Sequence, residues 1–182
     1  MIYNKDKKTI ETGRLLLRLF KQSDAENVSI MCNNYNVYKS TLSLPYPYPI
    51  ESAITWIAAH EENFACDKSY TFAITLKEDG KLLGCIGISY HKNNRNGEMG
   101  YWIGEEHWGN GYATEATKAI IEFAFKEKSY HKVYARHFAS NPASGRVMEK
   151  CGMKSEGIQK DQIYKNNSYE DIVNYGIVNY DY

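Results

Sequence analysis

Trp108-Gly109-Asn110-Gly111-Tyr112-Ala113-Thr114-Glu115-Ala116 is the stretch on which the fold turns. Two glycines one residue apart lead into a helical pattern. The first turn of a helix carries backbone N–H groups with no intrahelical partner and partial positive charge from the helix dipole. Glycines let an anion approach that backbone closely. The segment therefore reads as a phosphate cradle built from main-chain donors, without the lysine and magnesium of a nucleotide triphosphatase loop.

The residues around the cradle organise into alternating elements. Downstream, Ala113, Ala116, Ile120, Phe123 and Ala124 form an apolar stripe at helical spacing, and Glu115, Lys118, Glu122 and Lys126 form a solvated stripe opposite. Upstream, Glu98 to Gly104 reads as a strand, preceded by a hairpin of Tyr70–Leu76 and Lys81–Tyr90 around Glu78-Asp79-Gly80. Lys132 to Phe138 reads as a strand after the helix. Strands flanking one helix predict a βαβ unit in which Glu98–Ile103 and Lys132–Phe138 run parallel.

Further out, Arg14–Phe20 reads as a strand, Ser23-Asp24 as the cap of a helix running to Cys32, and Ile50–Phe64 as one amphipathic helix. Between them, Leu42 to Pro49 holds three of the four prolines at alternate positions, which favours extended backbone; it is either a substrate-facing loop or a rigid connector. Ala143–Lys150 reads as a short helix closed by Gly152, and Ile158–Tyr164 with Glu170–Val178 as a final antiparallel pair. The expected architecture is a mixed α/β domain over residues 1–182: a central, mostly antiparallel sheet with one parallel pair and flanking helices. Residues 1–10, polar and lysine-rich, read as a flexible N-terminal extension.

Composition limits the partners. The 22 basic and 22 acidic side chains balance, so no global field attracts nucleic acid or an anionic membrane. Cys32, Cys66, Cys85 and Cys151 form no CxxC pair and no zinc-ligand spacing, so no metal is expected. Free thiols and the lack of a leader or a membrane-length apolar run point to a cytoplasmic protein.

Three blocks in order resemble the GNAT family of N-acetyltransferases. The first is Glu98-Met99-Gly100-Tyr101-Trp102-Ile103 with the Trp108–Ala116 segment, where Gly111 and Ala113 fill the last two positions of the family's Gln/Arg-x-x-Gly-x-Gly/Ala signature. Trp108 stands where Gln or Arg is usual, a departure typical of enzymes resembling ribosomal-protein N-terminal acetyltransferases. The second is Asn141-Pro142-Ala143-Ser144 through Gly152-Met153, similar to that branch's Asn-x-x-Ser helix, with Met153 in place of an aromatic. The third is Tyr169-Glu170-Asp171-Ile172-Val173. Glu11 to Arg18 also resembles the branch's opening strand, so the likeness spans the chain from residue 11 onward.

The resemblance implies acetyl-CoA as cofactor, a primary amine as acceptor, and a splay between the two parallel strands into which the pantetheine arm inserts. It implies cofactor contacts from main-chain groups near Trp102 and Ile103, from the Trp108, Gly109, Asn110, Gly111, Tyr112, Ala113 and Thr114 loop, and from Asn141 and Ser144. It makes Glu98 the candidate general base, acting through a water, and Ser144 the candidate proton donor to the leaving thiolate, with Asn141 orienting the arm. A protein N-terminus is the acceptor the branch suggests; a polyamine or aminoglycoside is the alternative, and a non-catalytic acyl-CoA-binding module the rival of another class. Tyr46, Tyr48 and Trp56 are candidates to shape the acceptor pocket, His107 reads as a solvated loop residue, and a homodimer is compatible with the family.

Overall fold

A computed structural model describes residues 1–180; positions 181–182, the end of the expected domain, lie outside the described residues. Nine strands form one sheet: β1 (Ile2–Asn4), β2 (Thr9–Glu11), β3 (Leu15–Arg18), β4 (Ser69–Leu76), β5 (Leu82–Ser89), β6 (Asn96–Ile103), β7 (Lys132–Phe138), β8 (Lys154–Lys165) and β9 (Ser168–Val178). Their order is β1-β2-β3-β4-β5-β6-β7-β9-β8. Every neighbouring pair is antiparallel except β6 and β7, which run parallel as the βαβ reading predicts. Six α-helices flank the sheet: α1 (Ala25–Cys32), α2 (Tyr35–Ser40), α3 (Ile50–Ala58), α4 (His60–Ala65), α5 (Tyr112–Lys126) and α6 (Pro142–Lys150).

Strand alternation sorts the core onto two faces. Tyr70, Phe72 and Ile74 of β4 pack with Ala116, Ile120, Phe123 and Ala124 of α5, all at most 1 % exposed. Each isoleucine or phenylalanine buried there contributes about 1.5–3 kcal/mol. Ala73 and Cys85 point the other way, into a smaller cluster with Ala25, Val28, Ala53 and Ile57 of α1 and α3. The sheet thus separates α5 on one side from α1 and α3 on the other.

The parallel pairing is short. Asn96, Gly97 and Glu98 pair with Lys132, Val133 and Tyr134, and there it stops. Beyond Glu98, β6 continues against β5 and β7 continues against β9, so the two strands part and leave a gap.

Several expectations are corrected. Residues 1–10 are not a loose extension: β1 and β2 join the sheet, Ile10 is fully buried, Tyr3 packs edge-on to Phe123 at 4.9 Å, and the N-terminal amine pairs with Glu122 at 3.0 Å. Asp24 precedes α1 but makes no side-chain cap, because Arg18 (2.7 and 2.9 Å) and the Lys21 N–H (2.8 Å) occupy its carboxylate. The helix expected over 50–64 breaks at Ala59. That bend lets Ile57 face the smaller cluster and Phe64 the larger one. Helix α2, capped by Asn34 on the N–H groups of Asn36 and Val37, escaped the sequence reading.

Candidate active site

The cradle forms as its residues require. Gly109 and Gly111 adopt φ of +79° and +78°, a left-handed backbone that L side chains rarely take. Gly111 is the N-cap of α5 without a side-chain cap, and the first intrahelical bond runs from Glu115 N to Gly111 O. The N–H groups of Tyr112, Ala113 and Thr114 are therefore the helix's unpaired donors. They border a groove of about 370 Å³, lined also by Trp102, Ile103, Trp108, Gly109, Gly111 and Ser144.

Arg14 braces the cradle from outside. Its Nη1 donates to Asn110 O at 3.0 Å, its Nε to Glu115 at 2.7 Å, and its guanidinium lies 4.7 Å over the Tyr112 ring. Glu115 also accepts from Thr12 Oγ1 at 2.6 Å and Arg14 N at 2.8 Å. Burial works to raise the Glu115 pKa, but Thr12 and Arg14 together hold it below the usual value. Glu115 is thus a structural tie, where the sequence reading placed it on a solvated stripe. Asn110 is exposed and folds back on its own loop, its amide donating to the His107 and Trp108 carbonyls at 3.1 Å, and it is not among the residues lining the groove. His107 is buried rather than solvated and does line it.

The register of β6 decides which backbone groups face the gap. Gly104 N bonds Leu83 O directly across from it, so hydrogen-bonded pairs fall at alternate residues, including Trp102 opposite Cys85. Trp102 therefore directs its main chain at β5, and Tyr101 and Ile103 direct theirs at the gap. This corrects the expected role of the Trp102 backbone, although its side chain borders the groove. The Ile103 carbonyl already accepts from Trp108 Nε1 at 2.7 Å, which fixes the tryptophan against the strand.

Helix α6 supplies the far wall. Asn141 caps it, accepting from Ser144 N at 3.4 Å, and its Nδ2 donates to Ser40 O at 3.1 Å. Its side chain thereby orients α6, and Asn141 also lines the groove. Ser144 Oγ lies 2.7 Å from Tyr101 Oη. Burial pushes the Tyr101 phenol up to about 12, against the lowering effect of Ser144, so it stays a neutral O–H donor near neutral pH. Arg146 and Lys150, one helical turn apart, also line the groove.

A second cavity of about 640 Å³ opens on the α1/α3 side of the sheet. Its floor sets hydroxyls, bare backbone and one carboxylate side by side: Ser69 and Thr71 of β4, Gly87 and Ser89 of β5, Glu98 and Gly100 of β6. Leu42 to Pro45, Tyr48 and Trp56 wall it, which makes the proline segment site-facing, whereas Tyr46 lies outside, stacked on Tyr38 at 5.1 Å. Glu98 stands on this floor, accepting from Arg136 Nε at 2.6 Å. Groove and cavity share Tyr101, Trp102 and Ser144 as a common wall. Cys85 is buried in the floor with its thiol pushed well up by burial, and Cys151 is raised to about 11 for the same reason. Neither offers a thiolate nucleophile.

Sequence reasoning missed Tyr101, Arg136, Arg14, Arg146 and Lys150. Strand parity within the quoted Glu98–Ile103 block carried the signal for Tyr101, and the i, i+4 spacing of Arg146 and Lys150 carried theirs. Arg136 needed the pairing partner of Glu98, which only the sheet register reveals.

The splayed parallel pair, the helix start with unpaired main-chain donors and the order of the sheet place the chain among mixed α/β folds of the GNAT kind. The acetyltransferase (GNAT) domain profile matches residues 14–154, and the chain belongs to that family of acetyl-CoA-dependent N-acetyltransferases. It is 30 % identical over 170 residues to the uncharacterized N-acetyltransferase YoaA of Bacillus subtilis, covering 93 % of this chain and 96 % of that one. It is 26 % identical over 106 residues to the ribosomal-protein-serine acetyltransferase of Escherichia coli, covering 58 % and 59 %. The crystal structure of a GNAT-family acetyltransferase from Bacillus anthracis superimposes with a TM-score of 0.81 at 28 % identity, over 93 % of this chain and 98 % of that one. No described helix is long and apolar enough to cross a membrane.

Proposed function

We propose that this protein moves the acetyl group of acetyl-CoA to the α-amine of a peptide or protein N-terminus by direct attack within a ternary complex. The observation that carries the reading is the shared wall: groove and cavity meet at Tyr101 and Ser144, so two substrates can be held on either side of one hydroxyl pair. The groove fits CoA in its chemistry. The N–H groups of Tyr112, Ala113 and Thr114 would hold the pyrophosphate, Arg146 and Lys150 would offset phosphate charge, and the gap-facing main chain of Tyr101 and Ile103 would pair with the pantetheine amides. When bound, acetyl-CoA supplies an activated thioester. Glu98 takes a proton from the acceptor ammonium through a water, and Ser144, hydrogen-bonded to Tyr101, returns one to the departing sulfur. The raised thiols of Cys85 and Cys151 favour direct attack over an acetyl-cysteine route. Similarity to a ribosomal-protein-serine acetyltransferase supports an N-terminal acceptor.

The test is thiol release from acetyl-CoA with N-terminal peptides, spermidine and an aminoglycoside, read by thiol reagent and by mass shift. A 42 Da gain on the peptide α-amine is expected. Glu98→Gln should depress kcat/KM most at low pH; a pH–rate profile unchanged by that substitution removes Glu98 as base. Tight CoA binding with no thiol release would instead identify a binding module.

A further inference from the structure

Among the described residues lining the larger cavity, Glu98 and Arg136 are the two that carry an acidic or basic chain of the Asp, Glu, Lys or Arg kind, and they pair with each other. The rest is hydroxyl, aromatic, apolar or imidazole. Arg136 Nε donates to Glu98 Oε1 at 2.6 Å, which uses one of the five N–H donors of the guanidinium. Its two terminal amino groups make no hydrogen bond to any described residue. Tyr134 stands opposite Glu98, and Arg136, two residues on, shares that face of β7. The guanidinium therefore sits where β6 and β7 part, at the edge of the space an acceptor would fill, and its side chain is 38 % exposed.

This pairing selects among amines. A ligand with only ammonium groups meets a carboxylate already neutralised, and a polycation meets Arg136 as a repulsive neighbour. A ligand carrying a carboxylate a few bonds from its amine can engage both partners at once: the ammonium faces Glu98 while the carboxylate takes the open fork of Arg136. Building on the acetyltransferase reading, we propose that the acceptor is an α-amine with a nearby carboxylate, and that Arg136 reads that carboxylate. Two sources share this chemistry: a free amino acid, and a peptide whose first residues after the N-terminus are acidic.

Matched acceptors separate the possibilities. Serine is compared with serinamide, and an amidated Ser-Asp tetrapeptide with its Ser-Asn isostere, alongside spermidine. Wild type should show kcat/KM at least tenfold higher for the carboxylate member of at least one pair. A preference confined to serine assigns the free amino acid; one confined to Ser-Asp assigns the acidic N-terminus. Arg136→Gln should erase the preference by slowing the carboxylate members, and raise turnover of spermidine, because Glu98 is then free; Arg136→Lys should keep part of it. Calorimetric binding of the same pairs to the CoA complex gives a readout independent of turnover, with circular dichroism to verify that each variant folds. Equal kcat/KM within both pairs, or an Arg136→Gln effect that is uniform across all acceptors, overturns the proposal while acetyl transfer stands. No thiol release with any acceptor overturns both.

Discussion

The Tyr101–Ser144 hydroxyl pair borders both groove and cavity, and it is where a single atom has the largest kinetic consequence. The Tyr101 phenol, pushed up to about 12 by burial, stays protonated near neutral pH and can donate or accept a hydrogen bond there. As Ser144 passes its proton to sulfur, the hydrogen bond from Tyr101 Oη supports the serine oxygen until it regains a proton from water, and the two hydroxyls act as a unit. Tyr101→Phe deletes one hydroxyl with little change in shape. It should lower kcat about tenfold, the equivalent of about 1.4 kcal/mol for one hydrogen bond, while leaving the Kd for CoA within about twofold. Ser144→Ala should do at least as much, and the double variant should be no worse than the poorer single one. Additive losses in pre-steady-state thiol release would show that the hydroxyls act separately.

Among the elements, those with strong local periodicity were legible. Helix α5, the β4–β5 hairpin and strands β6 and β7 carry their patterns in consecutive residues, and the parallel relation of β6 to β7 followed from the helix between them. The misreadings have tertiary causes. Residues 1–10 look polar because only Ile10 is completely covered, yet the sheet edge at β3 gives them backbone partners. Glu115 looks solvated on a helical wheel, yet the entry to β3 folds across it. That tie gives an element-scale prediction. A carboxylate whose folded pKa lies below its unfolded value stabilises the fold above the unfolded value, and that stabilisation is lost as pH falls through the folded one. Glu115→Gln should therefore lower Tm by about 2–4 °C at pH 7, consistent with a partly exposed ion pair screened by solvent. The gap should narrow as pH falls below 4.5, the usual carboxyl value, where the unfolded chain takes up the proton, and close once pH has passed the lower value of the folded carboxyl. A difference that persists undiminished at pH 3 in calorimetry would assign the effect to packing.

At the scale of the whole molecule, the glycine turn and the helix start were legible and the larger cavity was not, for a physical reason. A helix start with unpaired main-chain donors is made by neighbours in sequence, Gly109 to Thr114. The acceptor cavity is made by β4, β5, β6, β7, α3 and the proline segment, and which residues reach it depends on register and face. Gly87 and Gly100, opposed across β5 and β6, show this: neither is an ordinary strand residue, and together they leave one strip of the floor without side chains. A Cβ added at Gly100 would meet no atom within 4 Å, and the backbone there is not left-handed. Gly100→Val therefore fits the strand and fills only the cavity. It should hold or slightly raise Tm, leave the Kd for CoA unchanged, and raise KM for the acceptor about tenfold or more, because the sheet stands between this floor and the phosphate cradle. Calorimetric CoA binding beside acceptor-dependent thiol release checks both halves. A matched loss of CoA affinity would mean that the two spaces are one site, and the division of labour across the Tyr101–Ser144 wall would fail with it.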